Sequence, residues 1–597
     1  MPRLDSENLV SLFRDQAEQL GDRPFLWAKH DGEYRPLSWA DVARQVAAVA
    51  RGLHALGVEP GDRVGLVAEN RPEWLIADVA IMAAGGITVP AYTTNTEADH
   101  RHILEDSGAK GVIVSTRRLA RSLLPAAARS AATGFIVTMD SAADSPAQAT
   151  QGIEMASWGD MIADSDEEPS LIDQAARSLG RDDVACIIYT SGTGGQPKGV
   201  MLHHGSILHN CRGAYDALHE LGLDDEVFLS FLPLSHSYEH TAGQFFPIAI
   251  GAQIYYADGV DTLATNMVEM RPTVMTAVPR LYEVLHQRIL RGVRKAGGFR
   301  ERLFIRALEL GRRKTHGQAL GLVDRIADAV VDRLVRDKVR AQFGGRLKGL
   351  VSGGAPLNPE IGIFFTALGL RVMQGYGQTE AGPVISVNRP HLIKMDTVGP
   401  PMKDTEVRIA EDGEILVRGE LVMRGYWRNE QATAETIIDG WLHTGDVGEI
   451  DADGYIRITD RKKDIIVNSG GDNIAPQRVE GVLTMEPEIA QAMVYGDRRP
   501  HLVALLVPDP DWLANWARME NKTPDLRMVA DEPGLHQALA QTLERVNERL
   551  STIEKVRRFI VAGEPFTVEN GQLTPTMKAR RHVLTDVYGD ALSALYR

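Results

Sequence analysis

A chain of 597 residues, 44% hydrophobic and 24% charged, can bury a large core and is expected to divide into more than one folded unit. Its 80 acidic against 65 basic residues give a formal charge of −15, which argues against general nucleic-acid binding and leaves any anionic ligand to be held by local groups. Cys186 and Cys211 are too few for a disulfide framework or a zinc site and read as buried thiols, while no signal-like start or membrane-length apolar run is evident.

From the amino terminus, Val64–Ala68 reads as a strand and Pro72 to Ala84 as an amphipathic helix with Trp74, Leu75, Val79 and Met82 turned inward. Ile87–Val89 reads as a strand, about 97–106 as a helix and Gly111–Ser115 as a strand again. Repeated β-α-β units imply parallel sheets covered by helices. The stretch 140–183, rich in Pro, Ala, Ser and Asp, reads as a surface connection. Val184–Ile188 resumes the alternation and breaks into Tyr189-Thr-Ser-Gly-Thr-Gly-Gly-Gln-Pro-Lys-Gly-Val200. Gly192, Gly194 and Gly195 would let backbone N–H groups approach anionic oxygens, Thr190, Ser191 and Thr193 add hydroxyls, and Lys198 adds charge. This is a phosphate-wrapping loop outside the Walker pattern, because Pro197 precedes Lys198 and Gly199 follows it.

Further along, His236 follows an apolar strand in Leu232-Pro-Leu-Ser-His-Ser-Tyr-Glu239, a setting in which a lone histidine is more often core than catalytic. Residues 282–345 read as nearly all helical, with ten Arg or Lys against two Glu between Arg288 and Lys314. Pro272–Val278 and Lys348–Val351 are expected strands, and Asn358 before Pro359 and Glu360 is a helix start. After about residue 400 the pattern turns to hairpins: Glu406–Ala410 and Glu414–Arg418 flank an Asp-Gly turn, and Tyr455–Thr459 pairs with the segment before Asp453-Gly454. The final unit contains a strand at His501–Val507 and a helix near 535–551. The expected fold is α/β: a large N-terminal domain, 1–459, of β-α-β subdomains with parallel sheets and a β-rich hairpin region, a hinge at 460–464, and a small mobile α+β lid, 465–597.

Tyr376-Gly-Gln-Thr-Glu380, Thr444-Gly-Asp446 and Asp460-Arg-Lys-Lys-Asp464 follow the glycine-rich loop in order. Together the four segments resemble the adenylate-forming (AMP-binding) superfamily, over about residues 35–585. The helical insertion followed by Val351-Ser-Gly-Gly-Ala-Pro-Leu357 is most similar to its long-chain fatty acid–CoA ligases. That resemblance implies ATP, Mg²⁺ and coenzyme A: a fatty carboxylate attacks the α-phosphate, pyrophosphate leaves, and the acyl-adenylate then passes its acyl group to a thiol. The loop would hold the β- and γ-phosphates, and Glu380 with Thr190 would hold Mg²⁺. Gly353, Gly354 and Ala355 would meet the adenine edge. Gly375, Tyr376, Gly377, Gln378 and Thr379 would line the nucleotide, Tyr376 by stacking, since it has few local neighbours. Asp446 would accept the ribose hydroxyls, with Arg461 beside it. His236 would stand at the carboxylate and acyl channel, shaped by Tyr238 and Glu239, with Phe245 and Phe246 near its depth. Lys578, in Leu573-Thr-Pro-Thr-Met-Lys578-Ala-Arg-Arg, would bridge carboxylate and α-phosphate. Gly471 would line the pantetheine tunnel and Lys463 would be the hinge. The family's second loop threonine is here Gly194, so one hydroxyl is lost while backbone donors remain.

The leading expectation is therefore an AMP-forming ligase of long-chain fatty acids and coenzyme A, without nucleic-acid partners. The alternatives are an acyl-adenylate ligase loading a carrier protein and a catalytically silent scaffold at a lipid surface. The expected location is cytoplasmic, with candidate peripheral contact to the inner membrane face through the basic helices 288–314; a homodimer is a candidate assembly.

Overall fold

The computed structural model describes residues 3–140, 152–163, 170–190, 196–259, 262–462, 464–470, 472–574 and 577–597. Two eight-stranded sheets form the body. In the first, Val184–Thr190, Ile87–Pro90, Arg63–Val67, Gly111–Val114, Phe135–Thr138 and Glu154–Ser157 lie side by side and parallel. Lys198–His203 turns back antiparallel on Val184–Thr190, and Gly425–Tyr426 joins it at the edge. Strands such as Gly111–Val114 and Ile87–Pro90 are buried along their whole length, as expected where helices cover both faces.

The helix Pro72–Ala83 departs from its expected amphipathic form. Apart from Glu73 it is buried on all sides, Asp78 included, because it packs between the sheet and the helices Trp39–Ala55 and Ser170–Ser178. The stretch 140–183 is likewise more than a connection: it supplies the strand Glu154–Ser157 and two helices, Trp158–Ala163 and Ser170–Ser178, with Trp158, Ile172 and Ala175 in the core. Cys186 and Cys211 are buried free thiols, as expected.

The second large sheet runs Val384–Val387, Val372–Gly377, Gly349–Ser352, Val274–Ala277, Val227–Ser230, Gln253–Tyr256, Pro24–His30 and Glu33–Ser38. It is parallel except at its two edges. The helical insertion (Pro279–Ala296, Gly298–Thr315, Leu322–Val331) covers one end, where Tyr282 and Phe304 pack with Phe364 and Phe365. A five-stranded antiparallel sheet contains the expected hairpin Glu406–Ile409 with Glu414–Arg418, and pairs Trp441–Ile450 with Ile456–Arg461.

The C-terminal unit is built on Ile489–Tyr495, Leu502–Pro508 and Val556–Val561. Alternate residues of Leu502–Pro508 face opposite ways. Leu502, Ala504 and Leu506 pack toward the helices Pro476–Leu483, Pro510–Met519 and Pro533–Glu548. Val503, Leu505 and Val507 pack toward Phe566, Leu573 and the helix Arg581–Ala594. No helix among the described residues is long and apolar enough to cross a membrane.

Candidate active site

Several residues singled out in the sequence lie beyond the carboxyl ends of parallel strands, the edge at which open α/β sheets bind ligands. His236 follows Val227–Ser230, Gly353 to Ala355 follow Gly349–Ser352, Gly375 and Gly377 close Val372–Gly377, and Gln378, Thr379 and Glu380 come next. The Ser237 and Thr379 hydroxyls lie 3.0 Å apart, tying the histidine loop to the glutamate turn. Ser191, Gly192, Thr193, Gly194 and Gly195, with Lys463 and Gly471, lie outside the described residues.

On one side, the Tyr376 hydroxyl donates to Asp446 Oδ2 at 2.6 Å, and Arg461 Nε stands 3.4 Å from Asp446 Oδ1. Antiparallel pairing of Asp446 with Arg461 sets this geometry. Burial raises the Asp446 pKa, and the Arg461 charge and the tyrosine bond oppose that shift. The expectation that Tyr376 has few local neighbours is corrected: it is buried among Ile385 on the adjoining strand and Ile415 and Leu442 from distant ones. Its flanking Gly377 is demanded by packing, since a Cβ there would sit 1.9 Å from the Pro383 carbonyl oxygen. Gly353 similarly makes room for the Tyr238 ring, 2.9 Å from where its Cβ would be, and Gly354 has φ +81°, which favours glycine.

On the other side, Thr190 and Lys198 are cross-strand partners at the mouth of the glycine-rich loop. Lys198 Nζ lies 4.9 Å from the centre of the Tyr426 ring, and the Tyr426 hydroxyl donates to Glu380 Oε1 at 2.8 Å. Tyr426 thus links the loop lysine to the candidate metal carboxylate, a role sequence reading missed. The signal was not local: Tyr426 reaches the site only because Gly425–Tyr426 pairs with Met201 and Val200. Among the described residues no cluster of three or more metal-ligating side chains occurs. A single carboxylate at Glu380 fits Mg²⁺, which keeps waters and shares phosphate oxygens rather than demanding a protein cage.

Between these two sides stands His236. Its Nδ1 accepts from the Tyr238 backbone N–H at 3.2 Å, so the neutral ring carries its proton on Nε2. Burial, with the nearby Lys578 charge, lowers its pKa to about 4. Next in sequence, Glu239 opens a π-helical segment, Glu239–Phe245. It accepts from the Ser230 and Thr276 hydroxyls at 2.7 and 2.6 Å, and burial raises its pKa to about 7. His240 and Gln244 of the same segment both reach Asp78 Oδ2, at 2.8 and 2.9 Å.

Lys578 comes from the C-terminal unit. Its backbone closes a tight turn, with Thr574 N donating to Lys578 O at 2.8 Å and Lys578 N to Thr574 Oγ1 at 3.1 Å. Buried Leu573 and Leu584 anchor the chain on either side. Taken over the whole residue, Lys578 is exposed. Loss of bulk solvent and the Arg461 charge lower its pKa to about 8, against the pull of Asp446 and Asp464. The unit is held by Asn358 Nδ2 donating to Gly481 O at 3.2 Å, Arg280 to Ala490 O at 3.4 Å, and Met485 packed on the body's core.

Residues 13–427 match the AMP-binding enzyme family and residues 463–597 the AMP-binding enzyme C-terminal domain. The chain is 34% identical over 574 residues to the long-chain-fatty-acid–CoA ligase FadD15 of Mycobacterium bovis, covering 95% of this chain and 93% of that one. It is 33% identical to the peroxisomal long chain acyl-CoA synthetase 6 of Arabidopsis thaliana, covering 95% and 82%. The adenylation domain of a carboxylic acid reductase from Segniliparus rugosus, solved with AMP and a co-purified carboxylic acid, shares the fold with a TM-score of 0.76 at 22% identity, covering 99% and 94%. A match spanning most of the body and the whole C-terminal unit leaves one conclusion: this chain is a member of the AMP-binding enzyme family.

Proposed function

We propose that this protein joins a long-chain fatty acid to coenzyme A at the expense of ATP. The carboxylate oxygen attacks the α-phosphorus, the α–β phosphoanhydride bond breaks, and pyrophosphate leaves. The coenzyme A thiol, losing its proton, then attacks the acyl carbon and expels AMP. The observation that carries the reading is geometric: Asp446 meets Tyr376 and Arg461 on one side, Tyr426 meets Glu380 and Lys198 on the other, and the C-terminal unit brings Lys578 toward Arg461 and Asp446. A cation there can balance the negative charge that develops as carboxylate and phosphate approach. The fatty-acyl class is supported by the relatives just described.

In this reading Asp446 and Arg461 receive the ribose, the backbone after Gly353 faces the base, and Thr190 to Gly195 with Lys198 embrace the terminal phosphates. Glu380 would hold Mg²⁺ with help from Thr190; when bound, the ion neutralises phosphate charge and steadies the leaving group. His236, neutral with its Nε2–H free to donate, orients the carboxylate. Residues 1–459 act as the body, 460–464 with Lys463 as the hinge, and 465–597 as the lid that brings Lys578 and then Gly471 to the site. Contact between the basic run 288–314 and a membrane is weakened as a proposal by pairing: Arg291, Arg306, Arg312, Arg313 and Lys314 already meet carboxylates. The carrier-protein and scaffold readings are not needed.

The test is pyrophosphate release over carboxylates from acetate through medium and long chains to aryl acids, with and without coenzyme A. Release that saturates with long chains, and thioester only when coenzyme A is present, is the expected result. Preference for acetate or benzoate would overturn the substrate class.

A further inference from the structure

The helix Leu322–Val331 and the turn after it carry a face that the fold does not use. Its acidic residues are taken up in ion pairs: Asp324 meets Arg306 and Arg313, Asp328 meets Lys314 and Arg336, and the more exposed Asp332 meets Arg340. Val331 packs with Ala307 and Leu310. The opposite side bears large apolar groups in solvent. Leu322 is 80% exposed, Ile326 68%, Val330 47% and Leu334 46%. Spacing of four residues aligns them in one stripe. Arg325 and Arg333 are exposed, border the same groove, and make no ion pair among the described residues. The exterior of this helix is thus apolar and cationic, with its carboxylates spent on internal pairs.

We propose that this stripe docks on an anionic lipid bilayer, with Leu322, Ile326 and Val330 entering the headgroup boundary and Arg325 and Arg333 meeting lipid phosphates. An amphipathic helix with an apolar face and arginine flanks binds membranes in that way. Charge decides against two-fold pairing of this face with itself, which would set arginines against arginines across a groove lined by no carboxylate. The surface is separate from the ligase site, so its test does not depend on the proposed reaction.

The experiment is co-sedimentation with vesicles of phosphatidylcholine alone and of phosphatidylcholine mixed with phosphatidylglycerol, at low and high salt. The wild-type protein should bind the mixed vesicles, and salt should weaken that binding. The variants Leu322→Ser/Ile326→Ser/Val330→Ser and Arg325→Glu/Arg333→Glu should each partition about tenfold more weakly or worse. Both should keep the wild-type unfolding temperature, because the substituted groups are exposed. Equal partitioning of wild type and variants, or no wild-type binding, overturns the proposal. So does sedimentation velocity showing a wild-type dimer that both variants abolish.

Discussion

At the scale of single residues, the lowered pKa of Lys578 sets a testable limit. With its pKa shifted down to about 8, the amine is charged at neutral pH and loses that charge as pH rises through the value. If the ammonium is needed, kcat/KM for adenylate formation, which reports the free enzyme, should fall about tenfold per pH unit above pH 8. Lys578→Met should lower it by about 10²–10³ and flatten the alkaline limb. An unchanged alkaline limb in the variant would assign it to another group. His236, with its pKa near 4, contributes no limb across the neutral range. Glu380 and Asp446 were expected from short motifs, whereas His236 and Lys578 were singled out by the family resemblance, spacing alone not marking them. Tyr426 was missed, because its link to Lys198 and Glu380 is made across strands far apart in sequence. The burial of Tyr376 was not legible, since Ile415 and Leu442, which help enclose it, come from strands far along the chain.

Among elements, the π-helical segment Glu239–Phe245 places a carboxyl, an imidazole and an amide in the core. Such segments often mark functional positions. Glu239 has a folded pKa of about 7, above the ordinary glutamate value. The stability it contributes is therefore fully present below the unfolded pKa and declines as pH rises through about 7. Urea unfolding should show Glu239→Gln gaining stability relative to wild type at pH 8 compared with pH 5; parallel pH profiles would show that Glu239 titrates normally. Strands and hairpins were read well from the sequence because alternation, continuous apolar runs and Asp-Gly turns are local signals, as at Glu406–Ile409 and Glu414–Arg418. The helix Pro72–Ala83 was misjudged as half-exposed: its periodic apolar positions were visible, but the second layer of helices over them was not. Helices inside 140–183 were hidden by a composition that resembles a linker.

For the molecule as a whole, few polar contacts among the described residues hold the C-terminal unit: Arg291 pairs with Asp511, and Asn358 and Arg280 donate to the backbone of Gly481 and Ala490. At about 1 kcal/mol each, replacing Asn358 and Arg280 by Ala should slow adenylate formation by up to about thirtyfold. Conversion of supplied acyl-adenylate to thioester should be unaffected if the lid leaves this orientation for that step. An equal loss in both half-reactions, measured by single-turnover quench, would show that the contacts support the fold rather than one orientation. Weak docking suits the proposed lid movement; the large hydrophobic cores lie within each part.

The turn that presents Lys578 is pinned at both ends, by Leu573 under the small sheet and by Leu584 in the terminal helix. A backbone so mounted cannot shift without the sheet and helix that hold it. If the turn moves aside for the thiol, the plate to which it is bolted moves with it. In the proposed reaction, departure of the ammonium and arrival of the nucleophile become two ends of one rigid-body stroke, and the site cannot be armed for both chemistries at once.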